Sequence, residues 1–406
     1  MKKVTSKKHI VLLTSIGLSN VGGWIYHIAL NLIILDMTKS VLAVTALYIL
    51  KPLATLLTNG WCGSWIDRVN KRRLMIGLAL FQSLVTAILP SLTSIVFMYC
   101  TVLVINMSSS IYHPTSMVYI TKLIVHGERK KFNSFRSLVD SGAFIIGPAI
   151  AGFLFIIGTP TYAIYINSVA VASSALLMII MPNVEKSDGM PKGESLNVSI
   201  QVMKEDWKIV LNYARKAGYI VSIYFLYSAI TVMTWGVDSL EAAFSKEVLH
   251  LTNSSYGYLV SISGVGILVG AIVNTVMIRK LTTSWLLGGG AVVLSLGYIV
   301  YALSGGFEMA SFGFFLLSFA LAFANTGFDT FYQSNVPVEM MGRIGSLFGF
   351  IEAFIVIIIM LLFGLLAEVI SIQFVVAGGS FVMLIISLPL FIMSVSPSKG
   401  EYYSNT

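Results

Sequence analysis

Twelve stretches of this chain hold about 18 or more consecutive residues that are almost wholly apolar. A helix of that length crosses roughly 30 Å of hydrocarbon, where every backbone N–H and C=O has to be satisfied inside the segment itself. The runs fall at about 10–35, 41–66, 74–92, 95–121, 133–157, 160–181, 218–243, 255–278, 284–304, 308–333, 344–369 and 371–394. They predict an all-α membrane protein of twelve transmembrane helices. Composition agrees, with 56% of the 406 residues apolar and only 11% charged. A soluble domain keeps about a quarter of its residues charged to hold its surface in water.

The net charge of +8 raises the question of an acidic partner such as nucleic acid. Its distribution answers that question. With the N-terminus inside, all but three of the 26 Lys and Arg fall on cytoplasmic segments, the exceptions being Lys39, Lys246 and the intramembrane Lys51. That is the positive-inside pattern, so the charge is a topological signal and no nucleic acid is expected. Both termini are predicted on the cytoplasmic side of a bacterial cell membrane. Cys62 and Cys100 stand near opposite ends of their spans, so no disulfide between them is expected. The basic start, Lys2 to Lys8, leads into an apolar segment too long for a signal-peptide core, so no cleaved leader is expected.

The longest polar interval divides the spans six and six. We therefore expect an N-terminal bundle at 1–185, a cytoplasmic linker at 186–217, and a C-terminal bundle with a short tail at 218–406. The whole loop, about 182–217, carries Pro182 and Pro191 near its start. Val202, Trp207, Ile209, Val210 and Tyr213 then make either a helix lying on the membrane surface or a plain polar connection. Shifting the sequence by 212 residues aligns the two halves: Ser134 meets Ser346, Asp140 meets Glu352, Gly152 meets Gly364 and His113 meets Asn325. An even number of spans per half makes the repeats parallel, hence two pseudo-symmetric six-helix bundles.

Polar groups at bilayer depth are costly, so their placement carries information. In the first span Asn20, Trp24, His27 and Asn31 are spaced by four, three and four, one helical face. The fourth span places Asn106, Ser109, Ser110, His113 and Ser116 on one arc. The seventh offers Tyr224, Tyr227, Thr231, Thr234, Trp235, Asp238 and Glu241, and the tenth Ser318, Asn325, Asp329 and Tyr332. Such stripes either line an aqueous substrate cavity or seal helix contacts by hydrogen bonding. The symmetric positions of all four favour the cavity.

Several motifs carry a family resemblance. The connection after the second span reads Gly63, Ser64, Trp65, Ile66, Asp67, Arg68, Val69, Asn70, Lys71, Arg72, Arg73. It resembles the G-x-x-x-D-R-x-G-x-R-R signature of the major facilitator superfamily, with Asn70 in the place of glycine; Asn tolerates the left-handed backbone that glycine supplies. Gly147, Pro148 and Gly152 are similar to the G-P-x-x-x-G element of antiporting members. Val336, Pro337, Glu339, Gly342, Arg343, Ile344 and Ser346, with Tyr256, Gly257, Gly264, Gly266 and Gly270, look like the macrolide-efflux-like branch of drug–proton antiporters. The resemblance implies a major facilitator fold and alternating access between two rocking bundles. It also implies a conformational gate at Gly63, Asp67, Arg68, Arg72, Arg73, Gly147, Pro148, Gly152, Gly342 and Arg343. The fourth span holds no Arg, which departs from many drug–proton antiporters of other branches and puts their usual coupling arrangement in doubt.

Individual residues keep their alternatives. Lys51, before Pro52 in mid-span, is a counter-charge for an anionic substrate group or for one of the buried carboxylates, or else half of a structural ion pair or a snorkelling side chain. Asp140 and Glu352, equivalent under the repeat, are gate partners of cytoplasmic Arg68, Arg72 or Arg279, proton carriers, or plain hydrogen-bonding groups. Asp238, Asp329 and Glu352 are the proton-coupling candidates. His27 and His113 suit a hydrogen-bonded cavity better than a proton relay. Trp24, Tyr224, Tyr227, Trp235 and Tyr332 suit an amphipathic substrate or interhelical packing. No metal-binding His-Glu motif, Gly-x-Ser-x-Gly element or phosphate-binding loop occurs, so neither an enzyme nor a metal or other cofactor is expected. The leading expectation is a monomeric, proton-driven exporter of amphipathic compounds. Behind it stand an exporter or flippase of an anionic metabolite, siderophore or lipid, and a receptor or scaffold without transport.

Overall fold

The computed structural model describes residues 2–403 apart from 60–61, 63–65, 67–68, 125–128, 186–199 and 278–279. Its long helices are α1 (Lys2–Thr38), α2 (Val41–Asn59), α3 (Lys71–Ile88), α4 (Ile95–Leu123), α5 (Arg129–Ile157) and α6 (Pro160–Ile180). After a linker helix (Ile200–Lys216) follow α7 (Gly218–Asp238), α8 (Asn253–Met277), α9 (Gly290–Ala302), α10 (Phe307–Asn335), α11 (Val338–Val369) and α12 (Ile372–Val395). Twelve helices are long and apolar enough to span a membrane, and no strand occurs among the described residues. The fold is an all-α membrane protein.

Local chemistry sets the breaks. Asn70 caps α3 by accepting from the Arg73 backbone N–H at 3.0 Å, and Pro160 opens α6 in the first turn, where no N–H is needed. Only Lys39 and Ser40 separate α1 from α2, and Lys39 makes the reversal in left-handed geometry, φ 51°. Pro52, Pro114, Pro148 and Pro389 sit inside spans. Membrane helices tolerate this because neighbouring helices and local adjustments re-satisfy the freed backbone groups.

Two compact units result. The first comprises residues 1–39, 47–196 and 253–261; the second comprises 40–46, 197–252 and 262–406. In the first unit α1 packs on α5 and α6, and α3 on α4 and α6. Serine pairs stitch these crossings: Ser15 and Ser174 hydroxyls lie 2.8 Å apart, and Ser83 and Ser168 each donate to the other's backbone carbonyl at 2.8 Å. Such bonds replace the hydrophobic drive that lipid cannot supply. In the second unit α9 meets α10 closely at Gly297 and Gly313, where an added Cβ would lie 2.5 Å from the Leu317 backbone and 2.7 Å from that of Tyr301. There too the Glu368 carboxylate, near the end of α11, accepts from Ser40 Oγ and from the Leu42 N–H, capping the start of α2. The linker helix lies against this unit through Val210, which is fully buried beside Val336, Ile344, Leu347 and Phe348.

Candidate functional site

In the first unit the polar stripe of α1 meets partners on α2 and α5. Asn20 Nδ2 donates to Asp140 Oδ1 at 2.6 Å. The Asp140 Oδ2 faces Arg136 Nε at 3.8 Å, one turn earlier on α5. Trp24 packs on Phe144 with centroids 4.3 Å apart, His27 meets the Tyr48 ring edge-on at 5.3 Å, and Asn31 Nδ2 donates to Tyr48 Oη at 3.1 Å. Asn31 is buried, so this stripe joins helices through hydrogen bonds and ring contacts along much of its length.

Arg136, which the sequence places among the cytoplasmic charges, stands two turns into α5. Its Nη1 lies 2.9 Å from Met117 Sδ on α4. A helix without an arginine of its own thus receives one from its neighbour. Lys51 on α2 and His113 on α4 are exposed, and Asn106 is half-buried. Arg136, Asp140 and Lys51 all lie within electrostatic reach of His113. Asp140 is therefore partnered by Arg136 and Asn20, not by Arg72, whose Nη2 donates instead to the Ile179 carbonyl at 2.9 Å.

Two glycines of α5, Gly147 and Gly152, are close-contact positions, the second against Gly257 of α8. A Cβ on Gly147 would meet the Val21 carbonyl at 3.1 Å, and one on Gly257 would come within 2.8 Å of both Gly152 and the Pro148 carbonyl. Near the end of α6, Glu185 bonds the buried Lys71 at 3.1 Å and approaches Lys122 at 3.7 Å. Arg73 lies in the first turn of α3. Gly63, Asp67 and Arg68 lie outside the described residues. Gly342 and Arg343 belong to α11, but their side chains also lie outside the description.

The second unit gathers aromatic rings. Tyr227 stacks on Phe328 at 4.2 Å and donates to Asn325 Oδ1. Tyr224 lies 5.6 Å from Phe328, 5.9 Å from Tyr332 and 5.1 Å from Phe348. Thr231 bonds back to the Tyr227 carbonyl at 3.2 Å, and Trp235 is half-buried one turn further on.

The three candidate carboxylates occupy different surroundings. Asp329 is exposed. Asp238 accepts a 2.8 Å hydrogen bond from Tyr298 Oη on α9. Glu352 accepts from Ser228 Oγ on α7 and borders a cavity of about 230 Å³ between α7, α11 and α12. Among the described residues neither Asp238 nor Glu352 forms an ion pair.

Tyr48, Ser228 and Tyr298 are the site residues that sequence reasoning missed. None stands out in the sequence, because a lone Tyr or Ser in a span is ordinary there. Arg136 had a visible signal, four residues before Asp140 on one helix face.

Twelve apolar helices that carry carboxylates and hydrogen-bonded rings within two units define a multi-pass membrane protein. The chain belongs to the Major Facilitator Superfamily, whose family model matches residues 12–358. It is 23% identical over 352 residues to the uncharacterized MFS-type transporter YfiS of Bacillus subtilis, covering 85% of this chain and 82% of that one. It is 22% identical over 238 residues to Multidrug resistance protein 2 of the same organism, covering 56% and 55%. The nucleoside transporter NupG shares the fold, with a TM-score of 0.75 at 12% identity over 95% of this chain and 98% of that one. The protein is a membrane transporter and not an enzyme.

Proposed function

We propose that this transporter is a secondary active exporter of amphipathic small molecules, drugs and antibiotics among them. It exchanges them for protons across a bacterial cytoplasmic membrane, by alternating access, with both termini in the cytoplasm. The observation that carries the coupling half is the Asp238–Tyr298 pair. A carboxyl oxygen accepts the phenolic hydrogen whether or not the group carries its own proton, so Asp238 can load and unload without losing its anchor. A membrane potential of 100 mV adds about 2.3 kcal/mol per charge moved across. The rings gathered around Tyr224 and Tyr227, with the Asn325 amide hydrogen-bonded to Tyr227, suit a substrate with an aromatic body and a few polar groups. A relative named as a multidrug resistance protein supports the same substrate class.

The test uses the full chain in proteoliposomes, with a panel of fluorescent amphipathic dyes and an imposed proton gradient. Wild type accumulates dye against its gradient and stops with an uncoupler. Asp238→Asn loses uphill transport and keeps part of the downhill exchange. Uphill transport surviving in Asp238→Asn, Asp329→Asn and Glu352→Gln alike overturns the coupling. Absence of any dye counterflow leaves the receptor or scaffold reading standing.

One observation favours a second reading, export or flipping of an anionic metabolite, siderophore or lipid. Lys51 is exposed in mid-span, and it and Arg136 both lie within electrostatic reach of His113. Two cations to one carboxylate would attract an acidic group.

A further inference from the structure

Glu352 and Asp140 are the same position in the two repeats, yet the protein treats them differently. Asp140 is answered by two groups of its own unit, the Arg136 guanidinium and the Asn20 amide. Adding 212 to those numbers gives Phe348 and Val232. Where the first unit holds a cation and an amide, the second holds a phenyl ring and an isopropyl group. Both of them line the cavity bordered by Glu352. Among the described residues the hydrogen bond to Glu352 comes from the Ser228 hydroxyl, a neutral donor.

The cavity is otherwise apolar. Met233 and Ala229 of α7, Ile351, Ile355 and Ile359 of α11, and Ile386 of α12 complete much of its wall. Phe225 and Ile355 each leave 40% of their surface exposed, and Phe354 and Ile358 beside them on α11 leave 56% and 47%. All four belong to spans, so the cavity is reached from the surface at bilayer depth. A small apolar pocket with one carboxylate and no cation among its described lining residues calls for a ligand that brings the cation.

We propose that this cavity binds the protonated amine of a small hydrophobic molecule. The ammonium pairs with Glu352 in the place that Arg136 fills in the other repeat. Its apolar body lies among Val232, Met233, Ile355 and Ile359, and Phe225 and Phe348, whose rings stand 4.8 Å apart, offer their faces to the charge. The site names a substrate class for the export reading and rests on that reading only for its physiological use. Binding needs no gradient and is measured separately.

The probe is 1-naphthylmethylamine, titrated by its fluorescence into the full-length protein in nanodiscs. 1-Naphthalenemethanol serves as the neutral isostere and 1-naphthoate as the anion. The amine should bind at least roughly tenfold more tightly than the alcohol, with the anion weakest. Glu352→Gln should remove that preference while leaving the alcohol unchanged. Phe348→Arg, which installs the first repeat's cation, should exclude the amine. Because a buried arginine can disturb folding, Val232→Asn provides a second variant, expected to weaken the amine by giving the carboxylate an internal donor. Asp238→Asn should bind the amine normally even when it no longer transports uphill. Equal binding of amine and alcohol, full amine affinity in Glu352→Gln, or no binding of any probe overturns the proposal. Each of those results leaves the export reading to its own assay.

Discussion

Tyr298 donates its phenolic hydrogen to Asp238 at 2.8 Å, tying the last residue of α7 to the middle of α9. Removing the donor leaves the carboxylate at the end of the α7 span without that hydrogen bond. Tyr298→Phe should therefore cost about 1–3 kcal/mol of stability, as expected for an unsatisfied buried polar group. Asp238→Asn keeps an acceptor oxygen and should stay within about 1 kcal/mol of wild type, in the range of a conservative exchange. Thermal denaturation in detergent separates the two. Equal loss in both variants would remove the special role of the hydrogen bond.

The pair Lys71–Glu185 yields a second expectation. Lys71 is almost wholly enclosed, with its ammonium 3.1 Å from the carboxylate. Glu185→Gln removes the carboxylate from a buried ion pair and should destabilise by up to about 3–5 kcal/mol, whereas replacing both partners by apolar residues recovers most of that loss. A double-mutant cycle with Lys71→Met and Glu185→Leu measures it. Additive losses in the cycle would show that the two side chains do not act as a pair.

Glycine positions differ sharply in tolerance. Gly297→Val places a branched side chain against the Leu317 backbone, where the Cβ alone would approach within 2.7 Å of its Cα. Backbone cannot swing aside as a side chain can, so poor expression or a loss of about 3 kcal/mol or more is expected. Gly378→Ala meets nothing within 4 Å and should be neutral. Size-exclusion profiles and melting curves of the two variants decide the matter.

Sidedness is open to direct labelling. Cysteines introduced at Lys39 and Lys246 should react with an impermeant thiol reagent in intact cells, and those at Lys130 and Lys192 only after permeabilisation. The background is set by Cys100, which is exposed, and Cys62, which is buried. Labelling of position 192 from outside would exclude a cytoplasmic linker.

The second transport reading has its own variant. Lys51→Met removes one mid-span charge and should weaken export of acidic substrates by about tenfold, the effect of 1.4 kcal/mol, while sparing cationic ones. Initial rates for a matched acid and amine read this out. A melting temperature that collapses instead would mark Lys51 as part of a structural ion pair.

Much of the architecture was legible in the sequence because the bilayer filters so severely. Runs such as 95–121 and 160–181 can be nothing but spans, and they appear as α4 and α6 with ends shifted by a few residues. Asp140 and Glu352 were recognisable as equivalent from numbering alone. Their partners were not. Arg136 looked like one more basic residue at a cytoplasmic boundary until α5 was found to begin at Arg129 and to carry its guanidinium to Met117.

Helix number, span length and the repeat follow from local facts: apolar stretches, a fixed rise per residue and a shift of 212. These belong to the sequence by itself. What answers each intramembrane charge depends on residues tens or hundreds of positions away, as with Asn20 and Asp140, Ser228 and Glu352, and Asp238 and Tyr298. A hydrogen bond needs partners within about 3 Å and a suitable angle. Helical spacing shows which face a residue occupies but not which neighbour faces it, and only the packing of the helices decides that.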